Sequence, residues 1–237
     1  MSKRFLEKMN NWSKLIQLLL YPPTCLICQQ TADHDLDLCP RCLADMPALE
    51  TTCMVCGIAL TINANTCGRC LKKTPYYDKI ITLYPYHALA KFLIHSLKFN
   101  KQYHCARVMG TLMARHFDKL GHQPEALLSV PLHPKRLSER GFNQAELISH
   151  YVHKKLNVPL IEKHLHRVIN THDQASLSAV KRRKNIRNAF SYIGKTTPSF
   201  VAVIDDVVTT GSTANEVART LKKAGVKRVE IWAFARA

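Results

Sequence analysis

Eight of the nine cysteines fall on one grid: Cys25/Cys28, Cys39/Cys42, Cys53/Cys56 and Cys67/Cys70, each pair enclosing two residues, with ten residues between successive pairs. No other feature restricts the fold so tightly. A CxxC turn aims two thiolates at one metal ion, and two such turns complete the tetrahedral four-sulfur shell that structural zinc prefers. The grid is an internal repeat of fourteen residues, and Gly57, Asn63, Asn65 and Gly68 between the pairs suit short hairpins. The segment therefore reads as a double zinc ribbon holding two Zn²⁺ ions. Sequential pairing puts Cys25, Cys28, Cys39 and Cys42 on one ion and Cys53, Cys56, Cys67 and Cys70 on the other; a cross-braced arrangement uses the same residues with alternate pairs, and both stay open. A redox CxxC or an iron–sulfur centre fits less well, because the fourfold pattern favours closed structural sites. A disulfide scaffold would require a small exported chain, which a chain of 237 residues is not. Cys105 stands outside the grid and reads as a small core residue.

Charge separates the chain into two parts. Residues 1–75 carry 8 Lys/Arg and 6 Asp/Glu, and residues 76–237 carry 26 and 11, out of a formal net charge of +17. Eight thiolates and two zinc ions add about −4, which leaves the ribbon near −2 and the rest near +15. A surplus of that size predicts an anionic partner such as nucleic acid or phosphates. No apolar run reaches the ~18 residues that span a bilayer. The segment KRFLEKMNNWSKLIQLLLYPP interrupts its apolar residues with Glu7, Asn10, Asn11 and Gln17 and shows no small-residue cleavage site. It reads as an amphipathic helix over 1–22 packed on the protein, with a membrane-surface or partner-binding role as the alternative. The location expected is the cytoplasm, with peripheral association at the inner membrane as the variant.

From about Tyr76 onward, strand and helix patterns alternate. KIITLYPY at Lys79–Tyr86 reads as a strand, 88–99 and 103–120 as helices, LLSVP at Leu127–Pro131 as a strand and 145–156 as a helix after a loop. SFVAVID, a helix over about 213–224, the stop Gly225 and VKRVEIWAFAR complete the series. Alternation of this kind implies an α/β fold with a parallel sheet, and ligand sites at the carboxyl ends of its strands.

Within that frame VAVIDDVVTTGST at Val201–Thr213 acquires a chemical meaning. Val201–Ile204 reads as a buried strand, Asp205 and Asp206 as its carboxyl edge, and Thr209–Thr213 as the turn into the next helix. Gly211 permits close backbone approach, and free N–H groups at a helix start cradle an anion. The hydroxyls of Thr209, Thr210, Ser212 and Thr213 add donors for a phosphate. Two adjacent carboxylates repel each other unless ribose hydroxyls or a Mg²⁺ ion engage them. Upstream, HPKRLSER places Lys135, Arg136 and Arg140 after a strand end, where several cations could meet a pyrophosphate. The run Lys181, Arg182, Arg183, Lys184 and Arg187 is either a solvated helix face or a surface for a nucleic-acid backbone.

VIDDVVTTGST resembles the PRPP-binding motif of the type I phosphoribosyltransferases. By that resemblance Asp205 and Asp206 contact the ribose 2′ and 3′ hydroxyls, Thr209–Thr213 hold the 5′-phosphate, and Mg²⁺ accompanies PRPP. VPLHPKRLSERGFNQAELIS at Val130–Ser149 and RVINTHDQASLSAVKRRKNIRNAF at Arg167–Phe190 are similar to the ComF (competence protein F) family, as is a zinc ribbon ahead of a phosphoribosyltransferase-like domain. The organisation expected is an N-terminal helix over 1–22, the double ribbon over 23–75 and the phosphoribosyltransferase-like domain over 76–237. The resemblance implies a PRPP or ribose 5-phosphate ligand, a role with single-stranded DNA during natural transformation, and partners such as a DNA-uptake helicase or inner-membrane translocation machinery. The alternative is an active Mg-dependent phosphoribosyltransferase on an unidentified acceptor. Aromatic residues near basic ones, among them Phe99, Tyr103 and Phe142, are candidate stacking platforms for a single strand.

Overall fold

The computed structural model describes residues 22–33, 35–47, 49, 51–62, 64–170, 186–194 and 197–237. Of the helix expected over 1–22 only Pro22 is among them, and Lys181, Arg182, Arg183 and Lys184 lie outside them. The chain forms two compact units, Met1–Met46 and Pro47–Ala237.

In the first unit a tight turn carries Cys25 and Cys28. Thr24 bridges Thr31 in antiparallel sense, and the Cys25 amide donates to the Gln30 carbonyl at 2.7 Å. Helix α1 (Pro40–Ala44) starts on Cys39, whose Sγ accepts from the Cys42 amide at 3.4 Å. Leu36 and Leu38 are buried beside these cysteines in the chain.

The second unit opens with the same device 28 residues later. Thr52 bridges Ala59, the Cys53 amide donates to the Ile58 carbonyl at 2.8 Å, and α2 (Gly68–Lys72) starts on Cys67. Gln29 and Gly57 share a left-handed backbone, φ 62° and 65°. The fourteen-residue grid in the sequence thus resolves into a structural period of 28 residues, in which one CxxC lies on a turn and the next on a helix start. Cys53, Cys56 and Cys70 pack in one core cluster with Ile80, Val203 and Ile231, so this ribbon shares the apolar core of the sheet.

The sheet consists of β1 (Lys79–Pro85), β2 (Ala126–Ser129), β5 (Phe200–Val208) and β6 (Arg228–Arg236) in the order β1-β6-β5-β2, and every pair is parallel. Val201–Ile204 and Val229–Ala235 are buried, as near-continuous apolar strands covered on both faces must be. Helices α3 (Ala88–Asn100) and α4 (His104–Phe117) join β1 to β2. Phe117 stacks on Trp232 with ring centroids 4.1 Å apart, and Cys105 on α4 is fully buried, as its sequence context suggests. The α/β class with a parallel sheet behind a cysteine ribbon is the fold read from the sequence.

Three local features differ from that reading. First, β5 does not end at Ile204. It continues to Val208 because β6 keeps pairing with it, Asp205 against Ala233 and Val208 against Arg236, whereas β2 stops at Ser129 against Ile204. Second, the segment after β2 contains α5 (Pro134–Arg140), started by His133, whose Nδ1 accepts from the Lys135 amide at 3.2 Å, and ended by Gly141 at φ 87°. Third, β3 (Leu165–Arg167) and β4 (Phe190–Tyr192) form a separate antiparallel pair. Helix α6 (Gln144–Leu156) begins on Asn143, whose Oδ1 accepts from the Ala145 amide at 3.1 Å. It packs tightly on α4: a Cβ at Gly110 would lie 2.5 Å from Tyr151 Cβ and 2.9 Å from the Ile148 carbonyl oxygen. Helix α7 (Ser212–Lys223) links β5 to β6.

Candidate functional site

The two cysteine groups are Cys25/Cys28/Cys39/Cys42 and Cys53/Cys56/Cys67/Cys70, with the four sulfurs of each lying within 4.8 Å of one another. A ZnS₄ tetrahedron with bonds of ~2.3 Å has S–S edges of roughly 3.8 Å. Cys28 and Cys39 stand 3.5 Å apart at sulfur, and Cys56 and Cys67 stand 3.7 Å apart. The residues present fit zinc, and the pairing is sequential, not cross-braced. Each group also contains a thiol prepared to ionise. Against the cost of burial, backbone N–H groups hold Cys25 and Cys53 down to about 6. One of those donors is the Cys67 amide, 3.3 Å from Cys53 Sγ.

A second site lies where β2 stops and β5 continues. A cavity of about 210 Å³ opens there, with Asp205, Asp206 and Val207 of β5 on its wall and Thr213 at the start of α7. Basic residues converge from three elements: Lys98 of α3, Arg136 and Arg140 of α5, and Arg167 of β3. The Lys98 ammonium forms an ion pair with Asp206 Oδ2, and the Gln144 amide donates to Asp206 Oδ1 at 3.4 Å. Gln144 is itself held by Arg140 Nη1 at 2.6 Å. The Asp206 amide donates to Asp205 Oδ1 at 2.9 Å. Burial first, and then the neighbouring Asp206 charge, push the Asp205 carboxyl well above its usual range, against the pull of Lys98. Burial works against the Lys98 ammonium, but the charge and hydrogen bond of Asp206 together with the Asp205 charge raise the Lys98 pKa.

Beyond the carboxylates, Thr209–Ser212 form the loop into α7. Gly211 takes φ 76°, a left-handed backbone that a side chain would strain. Thr210 Oγ1 and Ser212 Oγ hydrogen-bond at 2.9 Å, and the Ser212 amide reaches Thr210 Oγ1 at 3.3 Å. The first N–H groups of a twelve-residue helix follow, and their intrahelical acceptors are missing by geometry. From behind, Arg69 Nη1 donates to the Thr210 carbonyl at 3.0 Å. Arg236 Nη1 donates to the carbonyls of Val208, at 2.8 Å, and Thr209.

Of the residues singled out from sequence, Arg136, Arg140, Asp205, Asp206 and Thr213 meet around the cavity. Thr209, Thr210, Gly211 and Ser212 form the loop that continues from it. Lys135 is exposed on α5 and is not part of the cavity wall, and Arg187 is exposed elsewhere. Lys98, Gln144, Arg167, Arg69 and Arg236 are additions. Lys98 had a sequence signal: it lies four residues after Ile94, at the edge of the apolar stripe Ala90, Leu93, Ile94 and Leu97, so a helical projection turns it inward. Asn188, in the segment that resembles the family, donates its backbone N–H to Glu216 at 2.7 Å and accepts from Arg219 through its side chain at 2.6 Å. Among the described residues no helix is long and apolar enough to cross a membrane.

Residues 16–71 match the double zinc ribbon domain family. The chain is 38% identical to competence protein F of Haemophilus influenzae over 174 residues, covering 70% of this chain and 76% of that one. It is 32% identical to DNA utilization protein YhgH of Escherichia coli (strain K12) over 218 residues, covering 90% and 89%. Competence protein ComFC of Streptococcus pneumoniae is 26% identical over 155 residues, covering 65% and 66%. Among solved structures, adenine phosphoribosyltransferase from Leishmania donovani overlaps 65% of this chain and 83% of its own at 14% identity, with a TM-score of 0.34, too loose a superposition to assign a ligand. With a double zinc ribbon family match over residues 16–71 and 38% identity to competence protein F across 70% of its length, the chain belongs to the competence protein F family.

Proposed function

We propose that the cavity at the end of β5 binds the ribose 5-phosphate part of PRPP with Mg²⁺, and that the protein uses this site while handling single-stranded DNA. The observation that carries the reading is a carboxylate pair, Thr213 at a hydroxyl-rich helix start and the basic residues Lys98, Arg136, Arg140 and Arg167 lining one cavity. The 5′-phosphate is assigned to Thr209–Thr213 and the pyrophosphate to Arg136 and Arg140, since each needs several donors to offset its charge. Asp205 is the carboxylate assigned to the ribose hydroxyls, because Lys98 and Gln144 already engage Asp206. Carboxylate oxygens are the donors that Mg²⁺ selects, so Asp205 and Asp206 fit the ion; when bound it would supply positive charge to the phosphates.

The DNA half of the reading draws on the names of the relatives, which speak of competence and DNA utilization, and on the net charge of +17. The test has two arms. Anisotropy of a labelled single strand, read at two salt concentrations, should show affinity falling with salt as phosphate contacts require; binding that ignores salt, or no binding, rejects the DNA role. Incubation with Mg-PRPP and a panel of nucleobase acceptors, with assay of free pyrophosphate and of the ribosylated acceptor, separates the two readings: no release with any acceptor fits a binding site, and release matched by an equal amount of ribosylated acceptor makes the protein a phosphoribosyltransferase.

A further inference from the structure

The loop assigned to the 5′-phosphate is tied to the second cysteine group by two arginines. Arg69 stands between Cys67 and Cys70, two of the ligands, and its Nη1 donates to the Thr210 carbonyl at 3.0 Å, 141 residues away in the chain. Arg236, almost wholly buried at the end of β6, donates through Nε to the carbonyl of Cys56, another ligand, at 3.2 Å. Its Nη1 holds the Val208 carbonyl at 2.8 Å and also meets Thr209. A third strut runs from Tyr76, whose amide donates to Asn215 Oδ1 on the first turn of α7 at 2.8 Å. These carbonyls belong to the residues just ahead of Gly211, so their positions fix the direction of the N–H groups that follow. A helix of five residues, Gly68–Lys72, cannot hold Arg69 in place unaided. Its fixed points are the Cys67 and Cys70 sulfurs, which a bound metal ion would lock.

We propose that Arg69 and Arg236 are positioning residues that make the shape of the 209–213 loop depend on metal at Cys53/Cys56/Cys67/Cys70. Metal binding at this group and anion binding at the loop are then one linked equilibrium, and each strengthens the other by the same factor. The Cys25/Cys28/Cys39/Cys42 group has no part in it. The assignment of the loop to a phosphate rests on the reading above; the dependence of loop shape on metal does not.

Hydrogen exchange of the peptide spanning 209–213 in the full, zinc-loaded chain, together with calorimetry of ribose 5-phosphate, separates the two ideas. Arg69→Ala keeps all eight cysteines and should raise exchange in that peptide about tenfold, the scale of one lost charge-assisted hydrogen bond. Arg69→Lys should restore most of the protection. Cys67→Ser should act like Arg69→Ala, and Cys28→Ser should leave the peptide at the wild-type rate. Exchange unchanged in both Arg69→Ala and Cys67→Ser, or raised as much by Cys28→Ser, overturns the proposal. If exchange responds as described and ribose 5-phosphate does not bind, the coupling stands and the ligand assignment falls. If the ligand binds, Arg69→Ala should weaken it several-fold; equal affinity in the two proteins contradicts the linkage.

Discussion

The Lys98 ammonium closes on Asp206 Oδ2 at the carboxyl end of β5, with 17% of the lysine side chain and 3% of the aspartate side chain exposed. Two groups 108 residues apart in the chain thereby set the charge of the site before any ligand arrives. Lys98→Met leaves Asp206 buried without its cation, and removing one partner of a buried pair costs about 3 kcal/mol. Thermal unfolding should show the loss in Lys98→Met, and Lys98→Met/Asp206→Asn should recover much of it. Additive losses in the double variant would show that the two groups do not interact.

Asp205 is expected to trade stability for function. Its carboxyl titrates above the ordinary range because burial and Asp206 oppose its charge. Between the unfolded and folded pKa the folded protein binds the extra proton, so the stability contributed by this residue falls as pH rises through that window. Asp205→Asn should therefore melt higher than wild type at neutral pH, by about 2–4 °C for each kcal/mol relieved. The gain should shrink toward acid pH. A gain independent of pH, or a loss, would be inconsistent with this origin.

The two metal groups should differ in what they hold up. Cys53, Cys56 and Cys70 lie in the same core cluster as the sheet strands, and Cys25 and Cys42 lie in the other compact unit. Metal analysis of wild type should give two zinc per chain, and one in Cys56→Ser or Cys28→Ser. The main unfolding transition should fall strongly in Cys56→Ser and little in Cys28→Ser. Equal effects would show that the second group is not part of the core of the sheet unit.

Gly211→Ala isolates backbone shape from space. An added Cβ would meet Tyr77 Oη at 3.6 Å, an ordinary contact, so the cost comes from φ 76° alone and should be about 1–2 kcal/mol by chemical denaturation. A larger loss would mean that the loop tolerates no side chain for steric reasons.

The alternating patterns made the sheet and most helices legible, because buried parallel strands such as VAVI and helices with an apolar stripe carry their burial in local sequence. Strand ends were not. Nothing in VAVIDDVV marks Ile204 as the last residue paired with β2 or Val208 as the last paired with β6, since both limits belong to the neighbouring strands. PKRLSER offers one leucine and no periodicity, so α5 depends on its His133 start and Gly141 end. Asp205, Asp206 and the hydroxyl loop were legible as one continuous motif. Lys98, Arg69 and Arg236 reach the site from 108, 141 and 27 residues away in the chain, measured to Asp206, Thr210 and Thr209, and such pairings are fixed only by the assembled sheet. The cysteine grid named its ligands, while its pairing required the positions of the sulfurs.

The most direct test of the central claim is calorimetric titration of Mg-PRPP into wild type and into Asp205→Ala/Asp206→Ala, both confirmed folded by circular dichroism and loaded with zinc. Saturable one-to-one binding in wild type and none in the double variant is the expected result. Equal binding in both proteins, or no binding in wild type, would contradict a ribose-phosphate site at the end of β5.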